Sequence, residues 1–270
     1  MVRLILIAIL FGLSLCVSAQ NGELLPELLK SYPSASPSQV VDKMNEFVAR
    51  LETKRAGKTD EEFLSLLLRD SHRKFFKKYE PYTQFSQVFE SGQYDCLSAT
   101  SFLSVVLEKF DFEYRIIETN YHIFIVINTN AGEVLIESTD RMNGLVTDPK
   151  EIDLRINSYR LNEFYVSTAP SNKDFYKFNL NLFQEVEPQQ LPGLLYFNQA
   201  VIAFNNNDLV DCAFKLTQSK SIYESPRTAE FAVILVKSVL VSNLDDDLKK
   251  DLIRPFAKYL VASASAVASR

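Results

Sequence analysis

The fold predicted from this sequence is decided by two stretches, GQYDCLSATSFLSVVLEKF at residues 92–110 and EYRIIETNYHIFIVINTNAGEVLIE at residues 113–137. In the first stretch a glycine-containing loop leads into apolar residues at helical spacing, which predicts a helix that starts at or just before Cys96. In the second stretch the spacing changes to that of strands, and the middle run is apolar on both faces, as a central strand is. The strand-like runs are residues 113–118, 121–128 and 133–137. These patterns predict an α+β fold in which helices pack on a small antiparallel sheet.

A cysteine, a histidine and a carboxylate follow one another along these stretches in the order that a nucleophilic thiol site needs. Cys96 lies at the predicted helix start, where unpaired N–H groups and a partial positive charge favour the thiolate. His122 and Glu137 lie in successive strand-like runs. A nearby imidazole can take the thiol proton, and a carboxylate can fix the tautomer and orientation of that imidazole. The sequence therefore predicts a catalytic Cys96–His122–Glu137 site.

Other interpretations of these side chains stay open at the level of sequence. Asp140 is a rival for the third position, but it lies beyond the strand-like run, whereas a strand would hold Glu137 more rigidly. Cys96 could also be an inert buried residue, and His122 a core or sheet-edge residue. Burial of Glu137 directly after Val134-Leu135-Ile136 would be costly without a partner, which favours the clustered arrangement.

Several segments between residues 74 and 144 are typical of one superfamily. They are Gly92-x-Tyr94-Asp95-Cys96, Phe112-x-Tyr114-Arg115-Ile116, Tyr121-His122-Ile123-Phe124 and Leu135-Ile136-Glu137-Ser138-Thr139. In this order they resemble the transglutaminase-like superfamily, which shares its Cys-His-acid arrangement with papain-like proteases. The resemblance implies that Cys96 is the nucleophile, that His122 is the base, and that Glu137 takes the position usually held by aspartate. It also implies a cysteine hydrolase or acyltransferase that acts on an amide or peptide bond of a peptide or protein substrate.

The groups that would stabilise an oxyanion are less well specified. The backbone N–H of Cys96 is a natural first donor because it lies at the helix start. A second donor could come from Tyr82, Gln84 or Gln87, which precede the cysteine, and the sequence does not favour one of them.

Composition excludes several other classes of function. The chain of 270 residues has a formal net charge of −5 and no basic cluster large enough for a nucleic-acid surface. Its two histidines show no metal-ligand spacing, and we expect His72, in the charged segment Asp70–Lys74, to be solvent-exposed. Seven glycines form neither a phosphate loop nor a dinucleotide fingerprint. We therefore expect no metal, no cofactor and no nucleic-acid partner.

The beginning of the chain has the pattern of a secretory signal. Arg3 precedes an apolar run over residues 4–17, and Val17-Ser18-Ala19 matches a small-residue cleavage site, so we expect residues 1–19 to be removed. A retained N-terminal anchor is the alternative. We expect an exported protein, periplasmic or secreted, with no integral membrane segment after cleavage. Cys96 and Cys212 would remain; a disulfide between them is one interpretation, and a buried Cys212 in a helix is the favoured one.

The rest of the chain is predicted to be mainly helical, with a boundary near residue 188. We assign residues 20–187 to a transglutaminase-like thiol domain and residues 188–270 to an all-α domain that is weakly tetratricopeptide-like. The predicted C-terminal helices are residues 194–204, 208–219, 228–240 and 248–260. These helices are candidates for binding a protein partner, and the alternative function is a non-catalytic binding module that uses them. Earlier in the chain we expect a helix at residues 24–30, a second that starts at residue 38, a third that starts at a capping box over residues 59–62, and a short helix at 82–89. We also expect edge strands at residues 156–159 and 163–166.

Overall fold

The fold is an α+β arrangement of helices around a five-stranded antiparallel sheet. It is taken from a computed structural model that describes residues 24–31, 36–120, 122–161 and 181–259. The predicted α+β class is confirmed. The signal-like residues 1–19 and the second predicted edge strand, at 163–166, lie outside the described residues.

Three helices form the N-terminal layer: α1 (Leu24–Lys30), α2 (Pro37–Arg55) and α3 (Asp60–Lys74). The capping box predicted at the start of α3 is confirmed, because the Thr59 hydroxyl accepts from the Glu62 N–H at 3.2 Å and the Glu62 carboxylate accepts from the Thr59 N–H at 3.0 Å. Helix α3 ends at Lys74, and Lys78–Tyr79 forms strand β1.

The segment before Cys96 is less helical than predicted. Only Gln87–Glu90 forms a short helix, α4, within the predicted helix 82–89. Strand β2 (Gln93–Tyr94) follows and pairs in parallel with β1. Helix α5 then runs from Cys96 to Lys109, as the helical spacing predicted.

The five-stranded sheet places its strands in the order β6-β5-β4-β3-β7. The strands are β3 (Glu113–Thr119), β4 (Ile123–Thr129), β5 (Gly132–Ile136), β6 (Leu145–Val146) and β7 (Phe183–Val186). The apolar middle run is the central strand, as predicted. Ile125 pairs with Ile136 in the antiparallel β4–β5 ladder, so the start of β4 and the end of β5 lie side by side at the same end of the strands. His122 directly precedes β4 and Glu137 directly follows β5, which brings the two residues together at that end of the sheet.

The two faces of the sheet are covered by different helices. Helix α5 packs on one face, and its residues from Leu97 to Leu107 are buried on all sides because the N-terminal helices cover its outer surface. Aromatic rings join α5 to that layer with centroid separations of 4.9 to 5.5 Å; they are Phe47, Phe75, Phe76, Phe89 and Phe102. Helix α6 (Pro149–Arg160) packs on the opposite face.

Helix α6 corrects the prediction of an edge strand at residues 156–159. Its start is fixed by Asp148, whose carboxylate accepts from the Glu151 N–H at 2.9 Å, and by Pro149 in the first turn. The β-branched and aromatic residues Ile156 and Tyr159 suggested a strand, but they are three apart and share one face of a helix.

The C-terminal helices are α7 (Leu191–Asn205), α8 (Leu209–Ile222), α9 (Pro226–Val241) and α10 (Asp246–Ile253). The first turns of α7 belong to the same apolar core as α5, and the rest of α7 packs with α8 and α9 in a second core. Cys212 is fully buried in that second core, as predicted, and both Cys96 and Cys212 are free thiols rather than a disulfide. Across the described ranges, no helix combines the length and apolarity that crossing a bilayer requires.

Candidate active site

Cys96 occupies the first turn of α5 because a capping box starts the helix directly before it. The Asp95 carboxylate accepts from the Ser98 N–H at 2.7 Å, and the Ser98 hydroxyl accepts from the Asp95 N–H at 2.9 Å. The thiol is partly exposed, whereas the helix residues that follow it are buried. The cysteine therefore lies where unpaired helix N–H groups point towards an accessible sulfur.

Asp95 also holds the preceding segment against the start of α5. It is buried, which raises the pKa of its carboxyl to about 6, although hydrogen bonds from Ser98 and from the backbone N–H groups of Thr83 and Tyr82 oppose that rise. Tyr82 has a positive φ of 61°, a conformation that a bulky residue adopts only when its surroundings impose it. Sequence analysis missed this role, although the Asp-x-x-Ser pattern before an apolar run was a signal for it.

His122 lies between the thiol and the carboxylate. Its Nε2 is hydrogen-bonded to Glu137 Oε2, and Cys96 lies close enough to interact with its ring. Burial alone would lower the pKa of His122, but the negative charge of Glu137, the interaction with Cys96 and the hydrogen bond to Glu137 raise it to about 10. The imidazole is therefore cationic at neutral pH, and Nδ1 is the ring nitrogen left for the thiol.

Glu137 is saturated with hydrogen bonds, which allows a carboxylate to be buried at 3% side-chain exposure. Its Oε1 accepts from the N–H of Thr139 at 2.9 Å and from the Thr139 hydroxyl at 2.6 Å. Its Oε2 accepts from the Tyr159 hydroxyl at 3.1 Å as well as from His122. Burial would raise the pKa of Glu137, but the His122 charge and these hydrogen bonds hold it below its usual value.

Asp140, the rival for the third position, has a different role. Its Oδ1 accepts from the backbone N–H groups of Met142 at 3.0 Å and Asn143 at 2.9 Å, which closes a turn. Glu137, not Asp140, is the carboxylate that the structure brings to His122. Both predicted strand residues lie just outside their strands, since β4 starts after His122 and β5 ends before Glu137.

Gly144 lets the chain turn back closely behind Glu137. The Glu137 N–H donates to the Gly144 carbonyl at 2.7 Å. A Cβ at position 144 would lie 2.2 Å from the carbonyl oxygens of both Glu137 and Asp140. Any larger residue here would therefore displace the backbone that carries Glu137.

Tyr159 is a site residue that sequence analysis missed. It was assigned to an edge strand, but it projects from α6 onto Glu137, and its ring lies 5.1 Å from the His122 ring and 4.8 Å from that of Phe124. The spacing of α6 could have indicated a buried tyrosine, yet nothing local in the sequence ties it to a carboxylate 22 residues earlier.

The prediction for His72 was wrong. His72 is buried rather than solvated, and its ring packs against those of Phe76 and Tyr94. Burial lowers the pKa of His72, as does the nearby charge of Arg141. The charged neighbours in sequence pointed to an exposed face, but the last turns of α3 are covered by the segments that lead to and from the candidate site.

The three candidates for a second oxyanion donor differ in their surroundings. Gln87 is committed elsewhere, because its Oε1 accepts from the Gln84 N–H at 3.0 Å and its Nε2 lies 3.4 Å from Gln93 Oε1. The Tyr82 phenol is half-buried and lies within electrostatic reach of Cys96. The structure therefore connects Tyr82 to the thiol by charge and ties Gln87 to its own segment.

Metal ligation has no basis in the described ranges, where no group of three or more His, Cys, Asp or Glu side chains is placed to hold an ion. The chemistry that these side chains can perform is proton transfer and nucleophilic attack by sulfur.

Comparison of the chain with protein-family models, with curated proteins and with solved structures gives no match.

Proposed function

We propose that the protein is a cysteine hydrolase or acyltransferase of transglutaminase-like type that cleaves an amide or peptide bond. The observation that carries this proposal is that Cys96 and Glu137 both act on His122, whose Nε2 is hydrogen-bonded to Glu137 Oε2. A cationic imidazole next to a partly exposed thiol stabilises the thiolate, which is the nucleophilic form of sulfur. A structural cluster would not need a thiol at an accessible helix start.

The proposed reaction has two half-reactions. The Cys96 thiolate attacks the carbonyl carbon, the carbonyl electrons move to oxygen, and the Cys96 N–H donates to the oxyanion. The intermediate collapses with cleavage of the C–N bond, and the His122 imidazolium gives its proton to the leaving amine. Water or an amine then attacks the thioester, loses its proton to His122, and releases the acyl group together with the thiolate. Glu137 keeps His122 oriented and stabilises its cationic form throughout.

The wider predictions belong to the same proposal. A transglutaminase-like thiol domain at residues 20–187, an all-α domain at 188–270 and export from the cytoplasm are each supported by sequence pattern. A peptide or protein substrate is supported by the amide chemistry and by the accessible thiol.

Selective alkylation of the two thiols tests the proposal, with Cys212 as the internal control. Cys212 is fully buried, and burial raises its pKa to about 12. Iodoacetamide at pH 6.5, followed by peptide mass spectrometry, is expected to label Cys96 far faster than Cys212. The preference should shrink in His122→Ala, because only the difference in exposure between the two thiols then remains. Equal and slow labelling of both thiols in the native protein would overturn the proposal.

An exposed apolar pair on α8 favours the second candidate function, a binding module that uses the C-terminal helices. Val210 and Phe214 lie four residues apart and are 44% and 57% exposed. A protein partner captured by the wild type and by Cys96→Ala, but not by Phe214→Asp, would support this second function. A partner lost only on Cys96→Ala would instead support the enzyme.

A further inference from the structure

One guanidinium joins the C-terminal helices to the turn that precedes His122. Arg227 lies in the first turn of α9, and its Nη2 donates to the carbonyl of Thr119 at 2.5 Å and to that of Asn120 at 3.1 Å. Its Nε lies 3.0 Å from Glu118 Oε1. Arg227 thus contacts the Glu118 carboxylate and the carbonyls of Thr119 and Asn120, although it lies more than a hundred residues later in the sequence.

The same short segment fixes the backbone of His122. The Thr119 N–H donates to the His122 carbonyl at 2.8 Å, and the His122 N–H donates to the Thr119 hydroxyl at 3.1 Å. Only two residues separate Thr119 from His122. A displacement of the Thr119 carbonyl is therefore passed directly to the histidine backbone.

Glu118 makes this contact more rigid than a single ion pair would be. It is buried, and its Oε2 accepts from the Tyr223 hydroxyl at 2.7 Å and from Gln184 Nε2 at 3.1 Å. Tyr223 follows α8, and it can approach closely because α7 has Gly193 at the contact, where a Cβ would lie 2.8 Å from Tyr223 Cβ. Side chains from the C-terminal helices and from β7 thus converge on the end of β3.

The guanidinium is also within electrostatic reach of a residue that neighbours the thiol. Burial raises the pKa of the Tyr82 phenol and the positive charge of Arg227 opposes that rise, while Asp95 and Cys96 add to it. Tyr82 is therefore within electrostatic reach of both Arg227 and Cys96.

We propose that Arg227 is a positioning residue, which holds Thr119 and Asn120, and through Thr119 the His122 backbone, so that the imidazole meets the Cys96 thiol. This inference rests on the proposed function. An ion pair that served stability alone would need only Glu118, whereas the planar fork of arginine also binds two successive backbone carbonyls. The C-terminal helices would then be part of the catalytic unit, because the geometry of the Cys96–His122 pair depends on them.

The pH profile of Cys96 alkylation tests the inference, since it reports the Cys96–His122 pair directly. In wild-type protein, iodoacetamide should react rapidly with Cys96 well below pH 7. In Arg227→Ala the rate at pH 6 is expected to fall by about tenfold, because the imidazole is no longer held against the thiol. Arg227→Lys keeps the charge but loses the fork, so we expect an intermediate loss of about threefold.

Arg254→Ala is the matched control, because Arg254 also belongs to the C-terminal helical region but is exposed and pairs only with Asp251 among the ion pairs of the described residues. Its profile should match wild type. An unchanged profile in folded Arg227→Ala would overturn the positioning role. If Arg227→Ala does not fold, an unchanged profile in folded Tyr223→Phe and Arg227→Lys would overturn it instead. A wild-type profile like that of a free thiol would overturn the proposed function itself, and the inference with it.

Discussion

Cys96 and Cys212 are both cysteines near the start of a helix capped by aspartate, yet their surroundings differ in every respect that governs reactivity. Cys96 lies in the first turn of α5, is partly exposed, and interacts with a cationic imidazole. Cys212 lies one turn into α8, is fully buried among apolar side chains, and has Asp208 and Asp211 as its charged neighbours. The comparison shows that a helix start alone does not make a nucleophile. Access and a positive partner are what separate the two thiols.

The largest expected change comes from His122→Ala, which removes that positive partner. Alkylation of Cys96 at pH 6.5 should slow by at least about 100-fold. The buried Glu137 would also lose its charged partner, so we expect a loss of about 3 kcal/mol in the free energy of unfolding. Urea denaturation and timed alkylation measure the two effects. A variant that keeps rapid labelling would show that Cys96 does not depend on His122.

Gly144→Ala tests whether the position of Glu137 matters to the thiol. Its Cβ would overlap the carbonyl oxygens of Glu137 and Asp140, so we expect a loss of stability of about 2–4 kcal/mol together with slower alkylation of Cys96. Gly57→Ala is the matched control: Gly57 has a φ of +72° but open space around its Cβ position, so only about 1 kcal/mol should be lost. Equal effects of the two substitutions would argue against the close approach at Gly144.

The His122–Glu137 pair should give stability a defined pH dependence. The pKa of His122 is raised in the folded protein. The stability that His122 contributes is therefore fully present below about pH 6.5 and is lost as the pH rises towards about 10. The pKa of Glu137 is lowered, so its contribution is complete above about pH 4.5 and is lost as the pH falls through its folded value. The difference in the free energy of unfolding between wild type and Glu137→Gln should therefore be largest between about pH 4.5 and 6.5. Urea denaturation across pH measures it, and a difference independent of pH would contradict the ion pair.

Tyr159→Phe should give the smallest change, because it removes one of several hydrogen bonds to Glu137 and keeps the ring. A hydrogen bond to a charged group contributes about 1.5–3 kcal/mol, so we expect the free energy of unfolding to fall by no more than that amount. Alkylation of Cys96 should slow by only a few-fold. Tyr196→Phe is the control, since its hydroxyl donates to the Lys30 carbonyl at 3.0 Å, away from Glu137. A Tyr159→Phe effect as large as that of His122→Ala would mean that the hydroxyl takes part in the reaction.

Much of the fold and the members of the candidate site could be predicted from sequence because their signals are local. The change from helical to strand spacing after Lys109 and the apolar central strand both correspond to observed elements. The carboxylate next to three apolar residues indicated burial with a partner, and Glu137 is buried against His122.

The features that sequence analysis missed depend on contacts between distant segments. His72 packs against Tyr94 and lies within electrostatic reach of Arg141, which follows it by more than 60 positions, and Arg227 meets Thr119 across more than 100. No local spacing encodes either contact. The mistaken strand at 156–159 has a different cause: β-branched and aromatic residues favour strands by propensity, but the Asp148 cap and Pro149 fix a helix there.

The two histidines of the chain allow the most direct test of a cationic His122 held between thiol and carboxylate. Ring ¹⁵N chemical shifts, followed from pH 5 to pH 10.5 and assigned with His72→Gln, report the protonation of each imidazole. His122 should stay doubly protonated until the pH approaches about 10, whereas His72 should be neutral at pH 7. In Glu137→Gln the high titration midpoint should fall. Two histidines that both titrate near pH 6.5 would contradict the ion pair on which the proposed catalytic site depends.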